Sequence, residues 1–128
     1  MCTILLSIKP EYVEKILEGS KLYEFRRNIA RRTVDRILIY SSSPQQKVVG
    51  EVEVDKVLFN TPDKLWRITR ASAGISKRKY DEYFDGKDGA YAYKLGQVSV
   101  FTDPKPLSDF DIKVPPQSFV YLNRLPSR

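Results

Sequence analysis

From Val48 onward the chain alternates. Gly50, Val52 and Val54 are small or apolar, and the residues between them, Glu51, Glu53 and Asp55, are acidic. A period of two sends successive side chains to opposite faces of a strand, so this stretch fits where one sheet face is covered and the other is wet. It predicts one long strand over residues 48–59, broken by a bulge near Asp55 or Lys56.

The flanking segments read as short elements around that strand. Residues 3–8 form an apolar run, and Pro10 stands where a first helical turn tolerates it. Tyr12 or Val13, Ile16 and Leu17 then recur at helical spacing, and Gly19 stops the helix. Residues 22–27 and 36–40 read as strands joined by an arginine-rich connection. Pro62 opens a helix with Leu65, Trp66 and Ile68 as its packed stripe, which Gly74 ends, and Ser76 caps another helix buried through Tyr80 and Tyr83 or Phe84. Residues 90–95 and 98–101 read as two strand pieces, and residues 119–122 as a closing strand after a proline-stiffened tail. Several strands with helices between them predict an α+β fold, a small β-barrel with short helices at its sides.

A chain of 128 residues is expected to be one domain, residues 1–128, with a sizeable core. It has no histidine and one cysteine, Cys2. That composition excludes an intramolecular disulfide, histidine general bases, serine-histidine-acid and cysteine-histidine nucleophile arrangements, and most zinc sites. No metal and no cofactor are expected, and any catalysis must use Lys, Glu, Asp, Tyr, Ser or Arg. No apolar run approaches the roughly 20 residues that cross a bilayer, so no membrane partner is expected and a cytoplasmic location is. Net charge is +6, with five arginines against one aspartate between residues 26 and 36. Such an excess suits a polyanionic partner, although a charge run also serves as a solvated loop.

The densest chemistry lies in Gly19-Ser20-Lys21-Leu22-Tyr23-Glu24-Phe25-Arg26. If the segment is extended, Tyr23 and Phe25 take one face, and Leu22, Glu24 and Arg26 the other. Lys21, Glu24 and Arg26 then form either a ligand-binding polar cluster or a structural ion network. In the first case Arg26 forks onto phosphate or carboxylate oxygens, and Glu24 accepts hydrogen bonds from a base amino group. A desolvated Lys21 beside Arg26 titrates low enough for general-base work, with Glu24 opposing the shift.

The pattern Gly-x-Lys-x-x-Glu-x-Arg resembles the signature of the ASCH domain. Leu5-Leu6-Ser7-Ile8-Lys9-Pro10, Ile39-Tyr40-Ser41-Ser42-Ser43-Pro44, Val49-Gly50-Glu51, Tyr83-Phe84, Ala90-Tyr91-Ala92 and Pro115-Pro116-Gln117-Ser118-Phe119 resemble further pieces of the family, in its order. The resemblance implies a PUA-like barrel with a cleft lined by the signature strand, and a role in binding RNA or nucleotides. The subset most similar to it is that of short stand-alone microbial or phage proteins described as predicted transcriptional regulators. One branch hydrolyses acetylated cytidine with a lysine and a threonine in the signature and a later glutamate. Here Lys21 matches, Glu24 replaces the threonine, and Arg70-Ala71-Ser72-Ala73-Gly74 offers no carboxylate, so that activity is not carried over.

The expected function is therefore an RNA-binding or modified-nucleotide-binding module with a polar cleft formed by the Gly-x-Lys-x-x-Glu-x-Arg strand, with regulation as one use of it. Its cleft would contain Lys9, Lys21, Glu24, Arg26, Ser41, Ser42, Tyr91, Gln117 and Ser118. Arg27, Arg31, Arg32 and Arg36 would grip the nucleic-acid backbone. The alternatives are a small metal-independent hydrolase of RNA or a modified nucleoside, using Lys21 and Glu24 as acid and base, and an adaptor whose basic surface meets an acidic protein.

Overall fold

A computed structural model describes residues 2–122. Its elements run β1 (Thr3–Ile8), α1 (Pro10–Glu18), β2 (Tyr23–Arg26), β3 (Arg36–Ser41), β4 (Lys47–Asn60), α2 (Pro62–Thr69), α3 (Lys77–Tyr83), β5 (Ala90–Lys105) and β6 (Phe119–Leu122), with single-turn helices at Arg70–Ser72 and Leu107–Phe110. Six strands form one sheet in the order β2-β5-β4-β3-β1-β6, curled into a half-barrel. β1 and β3 are parallel, and the other pairings are antiparallel.

The alternating stretch becomes β4, whose pairing with β5 shifts register at Val48/Gly50, Val52/Val54 and Val54/Lys56. The bulge expected near Asp55 is the last of these. The first rotates the pattern, so that Val49 joins Val52 in the main core while Val48 packs on the opposite face. Glu51, expected on a wet acidic face, is buried 3.5 Å from the Arg36 guanidinium. β5 is continuous where two pieces were expected, because its ladder with β4 carries on past Gly96.

Inside the curl, Ile4, Leu6 and Ile8 of β1 pack with Ile37 and Ile39 of β3, Val13 and Ile16 of α1, and Tyr93 of β5. Fully burying such a side chain contributes about 1.5–3 kcal/mol. On the outer face, Phe25 of β2 meets Leu65 of α2, and Tyr80 and Phe84 at α3 and its C-terminus, in a cluster of edge-to-face rings. α2 is shorter than its sequence stripe implied. It buries Leu65 and Thr69, one helical turn apart, and leaves Ile68 56% exposed.

The curled sheet leaves β2 at one edge and β1 next to the other. Across that gap the Arg26 Nη2 donates to the Ser7 carbonyl at 3.1 Å. With α1 and α3 flanking the gap, the result is a cleft.

Candidate functional site

α1 ends abruptly, and that termination delivers the site lysine. Gly19 turns left-handed at φ 91°, and the Ser20 and Lys21 N–H groups both donate to the Lys15 carbonyl at 3.0 Å. Lys21 is thereby carried inward rather than into solvent, and it is only 3% exposed. Leu22 continues the anchoring, donating to Ser72 and accepting from Leu95, each at 2.9 Å.

The Lys21 Nζ donates to the Ala73 carbonyl at 2.7 Å and sits 5.2 and 5.0 Å from the ring centroids of Tyr12 and Phe25. Gly74 turns at φ 67° against the lysine stem, where a Cβ would stand 2.5 Å from Lys21 carbons. Burial lowers the Lys21 pKa to about 8, against the opposing pull of Glu24 and with help from Lys15 and Arg26. Burial also raises the Tyr12 pKa, followed by the charge of Glu11, so this phenol stays protonated at neutral pH.

Glu24 and Arg26 share a face of β2, two residues apart. Arg26 donates to the Glu24 Oε2 from Nε at 3.1 Å and from Nη2 at 2.8 Å. Glu24 Oε1 has no hydrogen-bond partner among the described residues and remains an acceptor for a ligand. The cleft they line encloses about 560 Å³, within the size range of small-ligand sites. Its walls bring cationic Lys9, Lys21, Arg26, Arg27 and Lys79 together with two carboxylates, Glu24 and Glu82. Such a field attracts an anion.

The expected cleft residues thus divide. Lys9, Lys21, Glu24 and Arg26 line it together. Ser41, Ser42, Tyr91, Gln117 and Ser118 are not on its walls. Ser41 is fully buried at the end of β3, and its hydroxyl has no partner among the described residues. The Ser42 N–H donates to the Ile8 carbonyl at 3.0 Å. Tyr91 is paired with Arg26 across the β2–β5 ladder, but its ring lies 4.6 Å from that of Phe59. Gln117 and Ser118 are exposed ahead of β6.

Among the arginines expected on a backbone, Arg27 lines the cleft and Arg31 and Arg32 are exposed beyond it. Arg36 is instead engaged with Glu51 on the outer side of the sheet. The cleft also recruits Tyr12, Lys79 and Tyr83, none of which was expected there. Their signal was faint. Ser76 caps α3 through the Lys79 N–H, and that register turns Lys79 toward Glu11 of α1 at 3.3 Å.

Comparison with known proteins bears on the family and the fold. The ASCH domain matches residues 6–99. Over 121 residues the chain is 35% identical to the ATP synthase subunit alpha and 32% identical to the large ribosomal subunit protein uL22, both of Ureaplasma parvum serovar 3. Each match takes in 94% of this chain but only 15% and 39% of those proteins, so the chain spans well under half their length. It is 28% identical over 130 residues to an ASCH domain-containing ribonuclease of Zymomonas mobilis, covering 94% of this chain and 84% of that protein. The crystal structure of ASCH from Zymomonas mobilis superposes with a TM-score of 0.88 at 28% identity, over 95% of this chain and 88% of that one.

Proposed function

Since the chain belongs to the ASCH domain family, we propose that its cleft binds single-stranded RNA and cleaves it by internal attack of a 2′-hydroxyl on the adjacent phosphate. The observation that carries this reading is Lys21, a buried amine with a pKa of about 8 in a cleft otherwise rich in fixed cations. The ribonuclease named among its relatives supports the choice of substrate class. A cleft of this size admits the nucleotides of one strand, whereas a duplex stays outside.

In this reading Lys21, once neutral, keeps one N–H on the Ala73 carbonyl and offers its lone pair to the 2′-hydroxyl. The 2′-oxygen bonds to phosphorus, and its proton passes to Lys21. Arg26 and Lys9 face the charge that develops on the phosphoryl oxygens. The bond from phosphorus to the 5′-oxygen breaks, and the Tyr12 phenol, kept protonated by burial, supplies a proton to the leaving oxygen. The products are a 2′,3′-cyclic phosphate and a 5′-hydroxyl. Glu24 orients Arg26 through Oε2 and accepts from a base amino group through Oε1.

The test is an oligonucleotide with a single ribose in an otherwise 2′-deoxy strand. Cleavage only at the linkage 3′ to that ribose, leaving a cyclic phosphate, supports the mechanism. Cleavage elsewhere, or 5′-phosphate ends, contradicts it.

A second reading, binding without turnover as a regulatory module would use, is favoured by one contact. The 2.7 Å bond to Ala73 stabilises the charged amine and holds Lys21 as a cation for phosphate rather than as a base.

A further inference from the structure

Residues 27–35, which join β2 to β3, are not a free solvated loop. Two of their arginines are held by the same device. The Arg27 backbone N–H donates to the Tyr83 hydroxyl at 3.2 Å, and its guanidinium carbon lies 4.5 Å from the centroid of that ring. The Arg32 N–H donates to the Tyr121 hydroxyl at 3.3 Å, and its guanidinium carbon is again 4.5 Å from the same ring's centroid. Between them the Ala30 N–H donates to the Tyr93 hydroxyl at 3.3 Å, with Ala30 and Val34 buried in the core. Three tyrosine hydroxyls therefore pin the segment as a strap.

The charges on the strap are unspent. Among the described residues, Arg27, Arg31 and Arg32 have no carboxylate within ion-pair distance, whereas Lys77, Arg78 and Lys79 of α3 each have one. The strap's own acid, Asp35, accepts the Cys2 N–H at 2.8 Å. A guanidinium held over a ring through its charge still has its fork of N–H donors, which fits a phosphate, and among the described residues neither guanidinium spends them on a side-chain hydrogen bond. A guanidinium already seated on a ring also loses less freedom when it binds.

We propose that this strap is the track for the RNA backbone as it leaves the cleft, entering at Arg27 on the rim, passing Arg31, and ending at Arg32 over Tyr121. The inference rests on the RNA reading of the cleft. Four residues lie between the two ring-held arginines, so their Cα atoms, five steps apart, are at most about 18 Å apart. Arg31 and Arg32 lie off the walls of the cleft, so the track would hold phosphates beyond the nucleotides in it. Arg36 is not part of it, being engaged with Glu51.

Length dependence tests this. Binding of 2′-O-methyl oligocytidylates, which resist cleavage and carry the base amino group, is measured for a dinucleotide and a dodecanucleotide with the native chain and with Arg32→Ala, Tyr121→Leu and Arg78→Ala. Arg32→Ala and Tyr121→Leu are expected to weaken the dodecanucleotide about fivefold to tenfold and leave the dinucleotide unchanged. Arg32→Ala should also reduce the salt slope for the longer strand by about 0.7. Arg78→Ala, an exposed charge off the track, should change neither. Equal losses for both lengths, losses matched by Arg78→Ala, or no loss for Arg32→Ala overturn the track alone. No binding of either length by the native chain overturns the cleft reading and the track with it.

Discussion

The Lys21 ammonium is bonded to the Ala73 carbonyl, 2.7 Å away in space and 52 residues away in sequence. This contact joins the signature strand to the linker between α2 and α3, and it fixes the orientation of the amine. The contact sets the geometry of the amine, and burial around it, which makes the charge expensive, sets its titration.

Lys21→Met tests what burial costs. The amine's folded pKa, about 8, lies below its ordinary 10.5, so between these values the unfolded chain binds more protons and stability rises with pH. Below about pH 8 the penalty is carried in full. Met keeps the volume without the charge, and the variant should exceed the native chain by about 1–3 kcal/mol at pH 7. Urea unfolding at pH 7 and pH 10 measures this. The advantage should shrink at the higher pH, and a variant clearly weaker at pH 7 shows that the Ala73 bond outweighs burial.

The pH profile of cleavage separates the two roles of Lys21. As a base it must be neutral, so the rate should rise about tenfold per pH unit below the Lys21 pKa and level off above about pH 8. A rate that falls above pH 8 instead assigns Lys21 to charge stabilisation.

Gly74→Ala places a methyl where Lys21 carbons stand at 2.5 Å, at a φ of 67° that favours glycine. Strain and displacement together should destabilise the chain by about 1–3 kcal/mol. A displaced Lys21 gains water, so the inflection of the pH profile should move up toward that of an ordinary lysine. Thermal unfolding and the profile together check this. An unmoved inflection means that the linker does not set the lysine.

Arg26→Leu leaves the Glu24 carboxylate, 7% exposed, without its partner and removes the bond to Ser7 across the cleft. A loss of about 3 kcal/mol is expected, part of it recovered by adding Glu24→Gln. Denaturant titration of both single variants and the double variant gives the coupling. Strict additivity would show that the pair contributes nothing as a unit.

These residues also mark how far the sequence could be read. The helix stop at Gly19, the Ser76 cap and the long strand at β4 rest on local patterns, and local patterns survive folding. Lys21, Glu24 and Arg26 were legible as a group because six residues hold them all. Ala73 and Gly74 were not, since contact across 52 residues leaves no period in the chain. Tyr91 and Tyr93 share a face as alternation requires, yet Tyr93 fills the core and Tyr91 rests on Phe59. Parity fixes the face but not the depth. Nothing local links Tyr83 or Tyr121 to the arginines they hold, which stand 56 and 89 residues away in sequence.

The most direct test of the central claim incubates an end-labelled single-stranded RNA with the native chain and with Lys21→Met, each shown by circular dichroism to be folded, in the presence of a chelator. 2′,3′-Cyclic phosphate and 5′-hydroxyl products are expected from the native chain and none from the variant. RNA that is bound but left intact by the native chain, or cleaved equally by both, would contradict the claim.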